Sequence, residues 1–368
     1  MTKSDIGGVS SPEQAASTAA AKVSRRSFLA TAAAGAALSM PAVRRAAAAD
    51  EKVLYVNTWG GAWEEAAKEA LFTPFTRDTG IEIRTVAPVS FAKLAAQVRT
   101  GVYEFDVTTL GVAELGRANQ AKLIAAPDKA ILDPAKLWPG AVVLDGVASH
   151  AFGNVLAYRN EKFPPPGLQS WADFWDVQKF PGSRCLQRYA GRVIPIALLA
   201  DGVAPDKLFP LDLDRAFKAL DRIKPHIRVW WSQGPQSQQL LRDGEVDAIG
   251  MWNTQVQRLV EAKAPITVSW NQAVVDVAYW AVARGTPRAE NAWRFVNYAV
   301  QPEPLAQFSV KNDYGPMNPE AFKYIPEDKA KQLPTWPANF KNAIVLDPVK
   351  MLPQIDEFSK RFDQWIAS

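Results

Sequence analysis

Beyond its first fifty residues, the chain alternates short apolar runs with amphipathic segments, which predicts strands separated by helices. The runs 52–56, 81–86 and 106–110 are β-rich or alternate apolar and polar positions, as strands do. Between them, residues 62–77 place apolar side chains near helical spacing, and Ser90 is a helix N-cap. Repeated strand–helix units predict an α/β fold with a parallel sheet and helices on both faces.

The second half of the chain repeats this alternation with more proline and aromatic residues. Residues 155–158 predict a strand, Ser170 begins an aromatic helix, and residues 213–223 predict a longer helix. Residues 244–250 predict a turn followed by a strand. The run 274–282 is apolar and β-branched, so we expect a strand that crosses back to the first set of strands.

Residues 1–49 have the organisation of an export signal. Arg25 and Arg26 are followed by a weakly apolar run, 28–43, that is shorter than the about 20 residues of a membrane span. Paired arginines directly before such a run predict the twin-arginine route, with cleavage near Ala49. No cysteine lies near that position for a lipid anchor, so we expect a free periplasmic protein. The alternatives are an anchoring amphipathic helix or a disordered tail.

The net charge of +4 belongs entirely to this leader, where six basic residues stand against two acidic ones. The remaining 36 basic and 36 acidic residues cancel. Because the mature chain is neutral, it lacks the basic excess of nucleic-acid-binding proteins, and we expect no nucleic-acid partner.

Candidate catalytic groups are few. The mature chain, about 319 residues, is long enough for two domains, and Cys185 is the only cysteine. His150 and His226 are far apart without metal-ligand spacing, and no hydrolase, zinc-protease or nucleotide-binding motif occurs. We therefore expect no catalysis, no metal and no cofactor. The alternatives are a periplasmic enzyme or a sensor-coupled binding protein on the same fold.

Several segments, taken in order, resemble the extracellular solute-binding proteins of ABC importers, in the cluster of spermidine/putrescine-binding proteins. They are LYVNTW at 54–59, FTRDTGI at 75–81, SWADFW at 170–175, FPGS at 180–183, GEVDAIGMWN at 244–253, NAWRFVNY at 291–298 and YGPMNP at 314–319.

This resemblance implies a two-lobed periplasmic-binding-protein fold of type II, with the ligand in a cleft between lobes joined by crossing strands. Residues 50–157 would form the first part of lobe 1, and residues 158–275 would form lobe 2. Residues 276–368 would supply the return strand and the remainder of lobe 1 with C-terminal helices. The resemblance also implies delivery of a small polar solute to an inner-membrane permease through a transient contact. We expect the protein to act as a monomer.

Twelve residues are the candidate ligand contacts, from the resemblance or from their place at strand ends. They are Trp59, Gly60, Thr109, Leu110, Gly111, Arg188, Tyr189, Arg192, Trp252, Asn253, Asp276 and Tyr314. The aromatic residues match positions that the family places at the cleft. Burial in the core is the alternative for Trp59, Trp252 and Tyr314, and packing alone also accounts for residues 109–111.

The charged candidates decide the expected ligand. Asp276 lies in an otherwise apolar strand and needs a partner; the resemblance implies a ligand ammonium, and the alternatives are a salt bridge to Arg188 or a backbone contact. Within 186–192, polyamine binders of the cluster carry carboxylates, whereas this chain has Arg188 and Arg192. The resemblance leaves a polyamine-like solute open. Arginine recognises carboxylates, so an arginine facing the cleft instead favours a ligand with an amine end and an acid end. Either arginine could instead point to solvent or pair with Asp276.

Overall fold

The computed structural model describes residues 52–368, and the predicted signal peptide at 1–49 lies outside the described residues. Eleven strands form one sheet. They are β1 Val53–Asn57, β2 Glu82–Val86, β3 Val107–Leu110, β4 Val142–Val143, β5 Gly146–Arg159, β6 Arg184–Gln187, β7 Ile227–Trp231, β8 Ala248–Trp252, β9 Ile266–Val282, β10 Gly315–Pro316 and β11 Ile344–Val345.

Helices connect these strands. They are α1 Gly61–Ala67, α2 Thr73–Thr79, α3 Phe91–Thr100, α4 Val112–Gln120, α5 Trp171–Trp175, α6 Ala190–Ala200, α7 Leu213–Ile223, α8 Gly234–Arg242, α9 Asn253–Glu261, α10 Ala289–Ala299, α11 Pro302–Asn312, α12 Glu327–Ala330, α13 Pro337–Phe340, α14 Pro348–Met351 and α15 Ile355–Ala367. A π-helical turn, Lys68–Phe72, joins α1 to α2. The segment predicted as one helix at 62–77 is therefore continuous, but it widens in the middle.

Local sequence signals explain where several helices begin. The Ser90 hydroxyl accepts a hydrogen bond from the Lys93 backbone N–H at 3.3 Å, and Ser170 caps α5 in the same way. Such N-caps satisfy backbone donors that have no partner in the first turn of a helix. Asp212 caps α7, whose bounds, Leu213–Ile223, are those predicted.

The strand order is β2-β1-β3-β9-β5-β8-β6-β7. The parallel strands β1, β2 and β3 form what we call the first strand set, and the parallel strands β6, β7 and β8 form the second strand set. Between them lie the two crossing strands, β5 and β9, which pair with each other antiparallel. Strand β9 also pairs antiparallel with β3, and β5 pairs antiparallel with β8. The chain thus passes between the two sets on two adjacent long strands.

The sheet is mixed, so the prediction of a parallel sheet is correct within each set and wrong where the crossing strands join them. The crossing strands are also longer than predicted, because β5 begins at Gly146 and β9 at Ile266. The strand predicted within 244–250 lies at Ala248–Trp252, since residues 243–247 form the turn before it.

Apolar side chains fill both faces of the sheet, including Phe75 and Phe295 at the first strand set and Trp231 and Met251 at the second. The C-terminal helix α15 packs on the second strand set, where Trp365 Nε1 donates a 2.7 Å hydrogen bond to Asp221 of α7. The predicted division assigned this helix to the region that completes lobe 1, whereas these contacts join it to a helix beside the second strand set. The lobe edges themselves stay a prediction. Within residues 52–368, no helix is both long and apolar enough to span a membrane.

Candidate ligand-binding site

Asp276 lies in the crossing strand β9, paired with Phe152 of β5. Only 2% of its surface is exposed. Its Oδ2 accepts a hydrogen bond from Arg192 Nη2, whereas its Oδ1 is buried without a hydrogen-bond partner among the described residues. The ion pair therefore forms with Arg192 and not with Arg188. Because one carboxylate oxygen is unused, Asp276 keeps the capacity to accept a hydrogen bond from a ligand.

Arg192 lies in the first turn of α6, whose N-cap is Tyr189. Its guanidinium carbon is 5.7 Å from the centre of the Phe152 ring and 5.4 Å from that of Tyr189. The Nε atom of Arg192 is buried, and no described residue accepts its hydrogen bond. Two aromatic faces and one carboxylate oxygen thus hold the guanidinium in place and leave an N–H group free.

A wall of aromatic rings surrounds this ion pair. Tyr189 and Trp252 stack with 5.8 Å between ring centres, and Trp252 meets the edges of Phe152 and Trp231 at 6.2 and 5.1 Å. The Tyr189 hydroxyl donates a 2.6 Å hydrogen bond to the Ser232 carbonyl, and burial raises the pKa of Tyr189 against the opposing effect of Arg192. Trp252 Nε1 is a further buried donor without a partner among residues 52–368. The wall offers flat apolar faces for methylene groups.

Arg188 lies between β6 and α6, and its side chain is exposed. Its backbone N–H donates a 2.8 Å hydrogen bond to the Trp231 carbonyl, which fixes the backbone of Arg188 at the end of the strand. None of the ion pairs formed within residues 52–368 includes its guanidinium. Arg188 therefore differs from Arg192, because no carboxylate among residues 52–368 forms an ion pair with it.

Five predicted residues lie at strand ends of the first strand set. Trp59 follows β1 and is 53% exposed, so it is not a core tryptophan. Gly60, beside it, adopts a left-handed φ of 74°, a conformation that favours glycine. Thr109 and Leu110 end β3 and are buried; Leu110 belongs to the core, whereas Thr109 Oγ1 has no partner among the described residues. Gly111 is the N-cap of α4.

Asn253 and Tyr314 have mainly structural contacts. The Asn253 side chain accepts a 2.8 Å hydrogen bond from the Gly153 N–H and donates one of 2.7 Å to the Asp313 carbonyl. Tyr314 stacks on His150 at 4.3 Å between ring centres, and burial raises the pKa of its hydroxyl. A ligand role for these two residues stays a prediction.

The histidines and the cysteine lie outside the site. His150 is 2% exposed, and burial lowers its pKa to about 3, which keeps the ring neutral. His226 is exposed in the turn before β7. Cys185 is buried, and burial raises the pKa of its thiol to about 12. Within residues 52–368, no three His, Cys, Asp or Glu side chains are grouped as a metal site would require.

The structure thus brings Tyr189, Arg192, Trp252 and Asp276 into one network of direct contacts. Phe152 of β5 also contacts Trp252 and Arg192, and it was not among the residues predicted from the sequence. It lies in a strand that is buried on both faces, so no alternation of polar and apolar positions marked it. Surface pockets of about 570 and 510 Å³ also occur, but none of the twelve predicted residues lines them.

Most of the chain matches one family of proteins. Residues 70–340 match the family model of bacterial extracellular solute-binding proteins. The matched span contains both crossing strands and every predicted site residue from Thr109 to Tyr314.

Two relatives and one solved structure extend this match. The gamma-aminobutyric acid-binding protein of Pseudomonas aeruginosa is 35% identical over 331 residues, which cover 88% of this chain and 93% of that protein. Spermidine/putrescine-binding periplasmic protein 1 of Haemophilus influenzae is 26% identical over 82% of this chain and 84% of that protein. The structure of the Atu4243-GABA receptor is 32% identical, with a TM-score of 0.79 over 85% of this chain and 97% of that one.

Proposed function

This chain belongs to the bacterial extracellular solute-binding proteins, and from that premise we propose that it captures a small zwitterion and delivers it to an ABC permease. The zwitterion has an amine at one end and a carboxylate at the other, as in γ-aminobutyric acid. The observation that carries this proposal is the set of charges at the site.

Those charges do not suit a polyamine. Asp276 is the one carboxylate among the twelve predicted residues, and it is already paired with Arg192. Arg188 adds a positive charge that no carboxylate of the described chain matches. A diamine would bring two more positive charges next to this excess, which is electrostatically unfavourable. A zwitterion instead supplies the missing negative charge with its acid end.

The unused hydrogen-bonding atoms match both ends of such a ligand. Asp276 Oδ1 can accept a hydrogen bond from the ammonium, and Arg192 Nε with the Arg188 guanidinium can donate to the carboxylate. The stacked rings of Tyr189 and Trp252 offer an apolar surface for the methylenes between the two ends. Two named γ-aminobutyric acid binders among the similar proteins support this ligand class.

We expect delivery to a permease to depend on two lobes that close on the ligand about a hinge. The crossing strands β5 and β9 connect the two strand sets, which we propose to be lobes with edges near residues 157 and 275. Occupancy of the cleft would favour a closed shape that the membrane partner recognises. We propose that the protein acts as a monomer and has no catalytic step.

The export route is also part of the proposal. Arg25 and Arg26 precede the apolar run of the leader, and this pairing favours the twin-arginine system. Replacing both with lysine should keep the precursor in the cytoplasm, as measured by cell fractionation. Normal export of the double variant would overturn this part.

Calorimetric titration tests the ligand class. Purified protein should bind γ-aminobutyric acid and bind putrescine, a four-carbon diamine, at least about 100-fold more weakly, a difference of about 2.7 kcal/mol. Arg188→Ala should weaken γ-aminobutyric acid binding by a similar factor. Arg228→Ala removes another exposed arginine of the second strand set and serves as the matched control. Tighter binding of putrescine than of the zwitterion would overturn the proposal.

A further inference from the structure

Three helices begin at the same edge of the second strand set, since α6, α8 and α9 follow β6, β7 and β8. Their starts are in contact. The Tyr189 hydroxyl at the start of α6 donates to the Ser232 carbonyl just before α8, and its ring stacks on Trp252 at the start of α9. Helix N-termini carry partial positive charge and free N–H groups. This edge therefore offers hydrogen-bond donors and a positive potential.

Gln187 ends β6 at this edge and has no exposed surface. Neither Oε1 nor Nε2 of its amide has a hydrogen-bond partner among the described residues. Its register partner is Trp231, the last residue of β7, whose ring meets those of Trp252 at 5.1 Å and Tyr189 at 6.0 Å. The side chains of register partners in adjacent strands lie on the same face of the sheet. The free amide therefore lies beside the aromatic wall.

A second buried glutamine, Gln97, has hydrogen-bond partners for its amide within the protein. Gln97 in α3 donates through Nε2 to the Phe105 carbonyl at 2.9 Å, and its Oε1 accepts from the Glu104 and Phe105 N–H groups. Burying an amide without partners is unfavourable, and such groups are rare in folded proteins. Ligands of α/β sheets bind at the carboxyl ends of strands, where Gln187 lies. The free amide therefore lies where a ligand can supply the missing partner.

We infer that Gln187 is a ligand-contacting, specificity-determining residue whose Nε2 donates a hydrogen bond to the ligand carboxylate. This inference rests on the proposed function and adds a residue to it. The acid end is assigned because Arg188, Arg192 Nε and Trp252 Nε1, which lie at the starts of α6 and α9, are donors; Gln255 Oε1 in the first turn of α9 is a buried acceptor without a described partner. For the amine end, Asp276 Oδ1 is a buried carboxylate oxygen without a described hydrogen-bond partner. A neutral amide binds the carboxylate while adding no further charge to the two arginines.

Gln187→Leu keeps the side chain near its original size and removes both amide groups. We expect it to weaken γ-aminobutyric acid binding about 30-fold in calorimetry, as a site built around a hydrogen bond does when the bond is lost. The melting temperature without ligand should be unchanged or higher, because an unpaired buried amide is replaced by an apolar group. The reference variant Gln97→Leu should lower the melting temperature and leave the affinity of the folded protein unchanged.

Gln187→Glu tests which end of the ligand the residue contacts. A negative charge beside the ligand carboxylate should weaken γ-aminobutyric acid binding more than Gln187→Leu does. It should also reduce the ratio of the affinity for γ-aminobutyric acid to the affinity for putrescine. Unchanged affinity in Gln187→Leu, or a lower melting temperature that marks a structural amide, would overturn the inference alone. Tighter γ-aminobutyric acid binding by Gln187→Glu would overturn the assignment to the acid end. If the wild-type protein prefers putrescine, the proposed function falls, and this inference falls with it.

Discussion

Two aspartate–arginine pairs of the described chain both have a buried carboxylate, but they differ in how many of their hydrogen-bonding atoms have partners. Asp106 accepts hydrogen bonds from Arg288 Nε at 2.8 Å, from the Tyr55 N–H at 2.9 Å and from the Thr286 hydroxyl, so both of its oxygens are used. In the Asp276–Arg192 pair, one carboxylate oxygen and the arginine Nε have no partner among the described residues.

We propose that this difference separates a structural role from a ligand-binding role. In both pairs the guanidinium packs against aromatic rings, on Tyr55 for Arg288 and on Phe152 and Tyr189 for Arg192. Burial and charge alone would therefore assign the two pairs the same role. Breaking a fully satisfied pair destabilises the fold, because removing one partner leaves an uncompensated buried charge. A half-satisfied pair leaves hydrogen-bonding capacity that a ligand can use.

We expect the largest effect to be the loss of stability when the fully satisfied Asp106–Arg288 pair is broken. Asp106→Ala should lower the free energy of unfolding by about 3–5 kcal/mol, because it leaves the Arg288 guanidinium buried without its carboxylate. Urea denaturation of the purified variant measures this. Asp276→Ala should cost less, since Arg192 is more exposed than Arg288. Equal losses of stability would remove the distinction between the two pairs.

The second effect is on affinity at the half-satisfied pair. Asp276→Asn should weaken γ-aminobutyric acid binding about 100-fold, or about 2.7 kcal/mol, because the ammonium loses its charged acceptor. Calorimetry measures this loss, and Asp243→Asn, at an exposed aspartate after α8, is the control. An affinity within threefold of the wild type would show that Asp276 serves structure, as Asp106 does.

His150 extends the comparison to a group that is buried without charge. Its pKa is about 3 in the folded protein and about 6.5 when unfolded. Between these values the unfolded chain binds a proton that the folded chain does not. The free energy of unfolding should therefore fall as the pH falls through this window, by at most about 1.4 kcal/mol per pH unit. His150→Phe should remove this slope, as measured by denaturation from pH 7 to 4. Parallel curves for the two proteins would contradict the prediction.

The smallest effect is expected at the first strand set. Trp59→Ala should weaken binding about fivefold, or about 1 kcal/mol, by removing an aromatic face, with little change in stability because the side chain is 53% exposed. Tyr324→Ala, at another exposed aromatic residue, is the control for both measurements. A large loss of stability in Trp59→Ala would indicate a structural role instead.

Periodicity and capping predicted much of the fold. The Ser90 and Ser170 caps and the helix Leu213–Ile223 were correct because they depend on local signals. The extent of the crossing strands was not predicted, because β5 is buried almost throughout and its sequence lacks alternation. The antiparallel pairing of these strands depends on contacts between distant segments, which local patterns do not encode.

The charged residues of the candidate site were predicted from the sequence, but the ion pair that they form was not. The sequence indicated Asp276, Arg188 and Arg192 and left open which arginine would pair with the carboxylate. That choice depends on how α6 lies against β9. Gln187 was missed because a glutamine at the end of a strand is unremarkable until its amide is seen to be buried and unpaired.

A crystal structure of the protein with γ-aminobutyric acid would show which side chains bind each end of the ligand. We expect the ammonium within hydrogen-bond distance of Asp276 Oδ1, and the carboxylate at the start of α6, in contact with Arg188 and Gln187. A ligand bound in the reverse direction, or bound away from Asp276 with Oδ1 of Asp276 still unpaired, would rule out the proposed binding mode.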